Sequence, residues 1–230
     1  MLFEEDYYLT TCTQALQRWS AEVFADSFAI QHCGPAYCFA FREMANLLPI
    51  REHAEDAFSI THPAISYRWH LHAAMLSKTA WWGVLQNQAA DEYAWLGSYL
   101  PERKYTAPFI AMAELVDRVF RIFDKATREV ISYCDKEFSA YAAAAIGDFQ
   151  QLGPQVREYL QHGIPPAAIV IEGLRQSPMA PTVLNAAWFL SLEGMTATLA
   201  LMGKEGDQEA LDIAESRLAG WVSKTLEDLS

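Results

Sequence analysis

The sequence predicts an all-α, multi-helix globular bundle. Three observations carry that expectation. Apolar residues recur at helical spacing through long windows. Alternating apolar–polar runs flanked by Asn-Gly or Asp-Gly turns, the mark of β-hairpins, are missing. Hydrophobic residues make up 52% of the chain and charged ones 20%, a composition with a sizeable core to bury. A chain of 230 residues buries about 70% of its unfolded surface on folding.

The elements follow in order. Residues 4–33 carry apolar side chains at helical spacing and stop at Gly34-Pro35, a strong break. Residues 36–48 read as a second helix, ended by Pro49, and residues 50–61 as a polar, charged connection. Pro63 suits the first turn of a helix, where its missing N–H is not needed, so His62 belongs at or beside the N-cap. That helix runs through Arg68 towards Trp82, and a further helical stretch reaches Tyr99. Residues 100–108 hold two prolines and a short charge run, and mark a boundary between a unit of residues 1–100 and a helical unit of residues 101–230. Residues 109–146 form one long helix or two, and Gly153-Pro154 breaks the pattern. A short helix over 155–162 ends at Gly163-Ile-Pro165-Pro166. Residues 167–176 suit a short strand or a helix. Residues 177–181 are a loop, and 182–202 and 207–229 close the chain as two helices. No internal repeat of fixed period is present.

The net charge is −12, from 17 basic and 29 acidic residues. Phosphate binding needs a basic face, so nucleic acid and anionic membrane are disfavoured as main partners, and a protein or peptide partner is expected. Residues 183–203 are about one bilayer span long, but Asn185 and Glu193 interrupt them and basic flanks are lacking. They read as a buried core helix, with no membrane insertion expected. Acidic Glu4, Glu5 and Asp6 stand where a signal peptide would be basic. Cys12, Cys33, Cys38 and Cys134 contain no Cys-x-x-Cys pair and read as buried free thiols of a cytoplasmic protein.

Two segments carry the candidate chemistry. Glu22 and Asp26 are four apart on a helix, so they share a face, within an apolar wrapping of Val23, Phe24, Phe28 and Ile30. Paired carboxylates there call for a compensating metal, arginine or histidine; otherwise they form a solvated polar stripe. The second segment is His62-Pro63 followed by Arg68.

Glu-x-x-x-Asp followed by His-Pro-x-x-x-x-Arg resembles the rear half of a gluzincin zinc peptidase domain, in the group of the CAAX prenyl proteases and heat-shock protease X. The likeness covers residues 15–75, including Gly34-Pro35-Ala36-Tyr37. It implies Glu22 as a zinc ligand, Asp26 as the carboxylate that fixes a ligand histidine, and His62 and Arg68 near the catalytic site. The His-Glu-x-x-His helix of that family is absent: the histidines are His32, His53, His62, His70, His72 and His162, and no pair fits. Zinc is therefore expected only if a histidine pair comes from outside this chain. The chain is then the C-terminal portion or a degenerate homologue of such a domain, inactive by itself. The alternative is a non-catalytic helical binding or scaffold protein, with Glu22 and Asp26 paired to Arg68 or another base.

Other clusters read more simply. His70 and His72 are two apart on a helix and point to different sides. His32, Cys33 and Cys38 surround the Gly-Pro break without a fourth ligand. Trp69, Trp81, Trp82, Tyr93, Trp95 and Tyr99 line an apolar groove or fill a helical core. The last helix sets Glu209, Asp212, Glu215, Glu227 and Asp228 opposite Leu211, Ala214, Leu218, Trp221 and Val222, as an amphipathic helix docking on a core or a partner would.

Overall fold

The computed structural model describes residues 2–47, 62–100 and 113–229. The described residues are 79% helical, with nine helices and one two-stranded hairpin, so the fold is all-α. The elements are α1 (Leu2–Cys33), α2 (Pro35–Leu47), α3 (Ile65–Leu76), α4 (Trp81–Gln88), α5 (Ala90–Gly97) and α6 (Ala113–Gln161), then β1 (Ile169–Ile171), β2 (Leu174–Gln176), α7 (Ala180–Leu192), α8 (Thr196–Leu201) and α9 (Gln208–Leu229). None of the described helices is long and apolar enough to cross a membrane.

The two long helices α1 and α6 form the spine. Trp19 packs against Phe120 and Phe123, Gln31 donates to Asp135 Oδ1 at 2.6 Å, and the His32 ring lies 4.7 Å from that of Tyr141. The numbers rise together along both helices, so they run parallel. A smaller core gathers there from Cys12, Ala15, Trp19 and Val23 of α1, Tyr67 and Leu71 of α3, and Phe123 of α6. A larger one joins α2 to α5 with the second half of α6, α7 and α9. Trp81 lies 5.0 Å from Phe149, and Phe39 6.1 Å from Phe189, so this core takes side chains from both sides of residue 100. The boundary expected at 100–108 falls mostly outside the described residues, as do the connection at 50–61 and His53.

The corner between α1 and α2 is built for close approach. Gly34 has φ +59°, and a Cβ there would lie 2.7 Å from Trp81 Cε2. Asn185 of α7, fully buried, secures the corner: its Oδ1 accepts the Ala36 N–H at 2.9 Å, and its Nδ2 donates to the carbonyls of Cys33 and Pro181. Gly34→Ala combines a left-handed backbone penalty with overpacking and is expected to cost about 2–4 kcal/mol, measured by urea unfolding. A loss below about 0.5 kcal/mol would contradict the close fit.

Several boundaries differ from the sequence expectation. Helix α3 starts at Ile65 with Ala64 as N-cap, so His62 and Pro63 precede it instead of opening it. It ends at Leu76, and the stretch to Tyr99 is divided into α4 and α5. Pro154 does not break α6, which continues to Gln161. Proline removes one helical N–H. Phe149 and Leu152 before it, and Val156 and Leu160 after it, are all buried in one core, and that packing carries the helix through. Residues 169–176 form the hairpin, turning at Glu172 (φ 50°) and Gly173 (φ 80°), the positive pair of a type I′ turn. The expected helix over 182–202 is interrupted at Gly194 and Met195, both with positive φ. Asp148 of α6 caps α7 from across the fold, accepting from Met179 N–H at 2.8 Å and from the Thr182 hydroxyl. The aromatic residues fill the core: Trp69, Trp81 and Tyr99 are buried, and Trp82, Tyr93 and Trp95 pack against them.

Candidate functional site

Helices α1, α2 and α3 meet at a cluster of charged side chains. Spacing by four places Glu22 and Asp26 on one face of α1, and the same spacing places Arg68 and His72 on one face of α3. The two faces oppose each other. Arg68 is the centre: its Nε donates to Asp26 Oδ2 at 2.8 Å and its Nη2 to Asp26 Oδ1 at 2.5 Å, a two-pronged contact. Its Nη1 lies 3.1 Å from Glu22 Oε2. The guanidinium also sits 4.2 Å from the ring centroid of Phe41. His62 Nδ1 lies 3.1 Å from Glu22 Oε1 at the exposed edge.

The interior of the cluster is closed off from the surface. Asp26 is 1% exposed and accepts a further hydrogen bond from the Tyr37 hydroxyl at 2.5 Å. His72 is fully buried among the rings of Tyr37, Phe41 and Trp69. Its Nε2 lies 3.2 Å from Asp26 Oδ2, but off the line of a hydrogen bond, and its Nδ1 meets no partner. Burial by itself would raise the Asp26 carboxyl. Contact with His72 and Arg68 outweighs that and holds it well below the ordinary carboxylate range. Arg68 is the firmer of the two partners, because its bonds are in line. Burial lowers the Arg68 guanidinium pKa, and the Asp26 carboxylate more than reverses this. Burial and then the Asp26 charge push the hydroxyl of Tyr37 and the thiol of Cys38 well above their ordinary ranges, so both stay protonated.

A depressed carboxyl contributes stability that is fully present above its unfolded value, about pH 4, and is lost as pH falls towards the folded value. Unfolding free energy should therefore decline from about pH 4 downward. Asp26→Asn should flatten that decline while starting from a lower stability at neutral pH. The check is the urea midpoint as a function of pH. An unchanged acid slope in Asp26→Asn would assign the effect to other carboxylates.

All four sequence-selected residues, Glu22, Asp26, His62 and Arg68, are thus in one place. Tyr37 and His72 are two members that sequence reasoning did not assign to the site. The signal for His72 was present: it stands four residues after Arg68, on the same helical face. The imidazole beside Asp26 is this chain's own His72. His70 turns elsewhere, its Nδ1 2.9 Å from the Tyr99 carbonyl. His32 stacks 3.9 Å from Phe28, and all four cysteines are free.

Zinc at Glu22 would require His62 and Arg68 to turn away from its carboxylate. Both Glu22 oxygens face His62 and Arg68, and both Asp26 oxygens are taken by Arg68 and Tyr37. A guanidinium 3.1 Å from the would-be ligand opposes a divalent cation. Among the described residues, no group of three or more His, Cys, Asp or Glu is placed to hold a metal ion. Catalytic zinc takes three protein ligands, and this cluster offers one exposed carboxylate with one imidazole. No protein-family model, curated protein or solved structure matches this chain.

Proposed function

We propose that this chain is the third-ligand portion, or a degenerate homologue, of a zinc-peptidase-like domain and hydrolyses no peptide by itself. The observation that supports this reading is convergence. The Glu-x-x-x-Asp and His-Pro-x-x-x-x-Arg segments come from different helices and meet in one cluster. In this reading Glu22 is the metal-facing group, because its side chain is 31% exposed at the edge of the cluster while that of Asp26 is sealed beneath it. The histidine pair comes from outside this chain, from a protein or peptide partner or a longer chain. Arg18, Ala21 and Ala25, all exposed beside Glu22 on α1, leave a helix room to approach. Four free thiols suit a cytoplasmic setting.

A second reading has its own support: Asp26 and Arg68 spend all their strong contacts inside the fold, as in a non-catalytic helical scaffold. Zinc titration of the purified chain separates the two. Wild type should bind zinc weakly, and Glu22→Ala should abolish that binding while changing stability by under about 1 kcal/mol, as a rim ion pair implies. A peptide carrying His-Glu-x-x-His should tighten zinc binding to wild type and not to Glu22→Ala. Tight stoichiometric zinc in Glu22→Ala would overturn the assignment, and no effect of the peptide would favour the scaffold.

A further inference from the structure

The N-terminal half of α6 carries a cationic stripe in a chain whose net charge is −12. Arg121, Lys125, Arg128 and Lys136 recur at three-, four- and eight-residue intervals, so they share one face, and all are exposed. Of the acids in the same stretch, Asp124 takes the Tyr67 hydroxyl at 3.1 Å and Asp135 takes Gln31, while Glu129 stays exposed among the cations. Among the described residues, Arg121, Lys125 and Arg128 make no ion pair, and Lys136 has only a long contact of 3.8 Å to Glu137. Lys125, Arg128, Glu129, Ser132, Tyr133 and Lys136 line a shallow open groove. Tyr133 in that lining is 53% exposed, and Ile122, 59% exposed, stands one turn before Lys125 on the same helix. Cations around two exposed apolar anchors are the pattern of a contact surface for an acidic amphipathic partner.

The same chain holds a surface of that description. The first turns of α9 expose Glu209 and Asp212 beside Ile213, itself 44% exposed. The two surfaces cannot meet within one molecule. Trp221 of α9 packs at Gly163, just past the end of α6. Even Lys136, the nearest member of the stripe, is about 40 Å of helix from Gly163, and α9 covers only about 20 Å between Glu209 and Trp221, which leaves the patches roughly 20 Å apart at least.

We infer that two copies of this chain pair in solution, the α6 stripe of each receiving the acidic start of α9 of the other. A two-fold arrangement makes both contacts at once and closes on itself. The association is electrostatic at its rim and weakens as salt rises.

Multi-angle light scattering on the full chain, at low and high salt, tests this. At low salt the wild type is expected near twice 25.9 kDa, falling to 25.9 kDa at high salt. Lys125→Glu with Arg128→Glu, and separately Glu209→Lys with Asp212→Lys, should each give the single-chain mass at low salt. All four sites are exposed, so circular dichroism should be unchanged. An equimolar mixture of the two charge-reversed proteins should recover the two-chain mass, because each stripe then again faces opposite charge. A wild-type mass of 25.9 kDa at low salt overturns the inference. So does a two-chain species that survives both reversals, or a mixture that stays single-chain while wild type pairs. Low-salt binding of the stripe to phosphatidylserine vesicles, with the protein single-chain in their absence, would replace the second copy by a lipid surface.

Discussion

Arg68→Ala is expected to lower unfolding free energy by about 3–5 kcal/mol, the range for removing one partner of a buried ion pair. The cost does not lie in the attraction lost. It lies in what remains: Asp26, 1% exposed, would keep only the Tyr37 hydroxyl and the poorly aligned His72. A carboxylate in that setting is expected to take up a proton on folding, so the variant should lose stability as pH rises from about 4 to neutral, the reverse of wild type. Urea unfolding at several pH values measures both effects. Arg68→Ala with Asp26→Leu should be more stable than Arg68→Ala alone, because the orphaned charge goes with its partner. A loss under about 1 kcal/mol in the single variant would place water in the cluster and sink the account of a closed, clamped site.

Trp81→Ala is expected to cost about 3–5 kcal/mol, as removal of a large aromatic from a packed core does. Trp81 is 1% exposed and covers Gly34 from one side while meeting Phe149 from the other. It therefore joins the α1–α2 corner to the second half of α6. Trp81→Phe, keeping a ring, should recover a large part of the loss. The readout is the urea midpoint, with near-ultraviolet circular dichroism reporting the aromatic packing. A double variant with Gly34→Ala gives a sharper test. The added methyl needs the space that Trp81 vacates, so Gly34→Ala should cost less in Trp81→Ala than in wild type. Additive losses would show that the two residues are not in contact.

The helical elements were legible wherever the local signal was strong. The Gly34-Pro35 break, the limits of α9 and the overall helical class follow from spacing and from glycine and proline. The misreadings are local rules overruled at a distance. Pro154 lacks an N–H, yet buried neighbours on both sides hold the helix straight through it. Gly194 and Met195 end α7 inside an apolar run that reads as one continuous helix. The cap of α7 is Asp148, which is 31 residues earlier and cannot be recognised from local sequence.

The same division holds for the cluster. The sequence by itself determined that Glu22 pairs with Asp26 on α1, and that Arg68 and His72 share a face of α3, because a helix brings residues four apart together regardless of context. Only the tertiary structure decided that these two faces oppose each other, that Tyr37 joins them from α2, and that Arg68 reaches both carboxylates. Which face meets which depends on how α1 and α3 pack through Trp19, Val23, Tyr67 and Leu71. Hydrophobic burial is non-directional, so an apolar pattern specifies that these side chains are covered and leaves their partners to shape and packing.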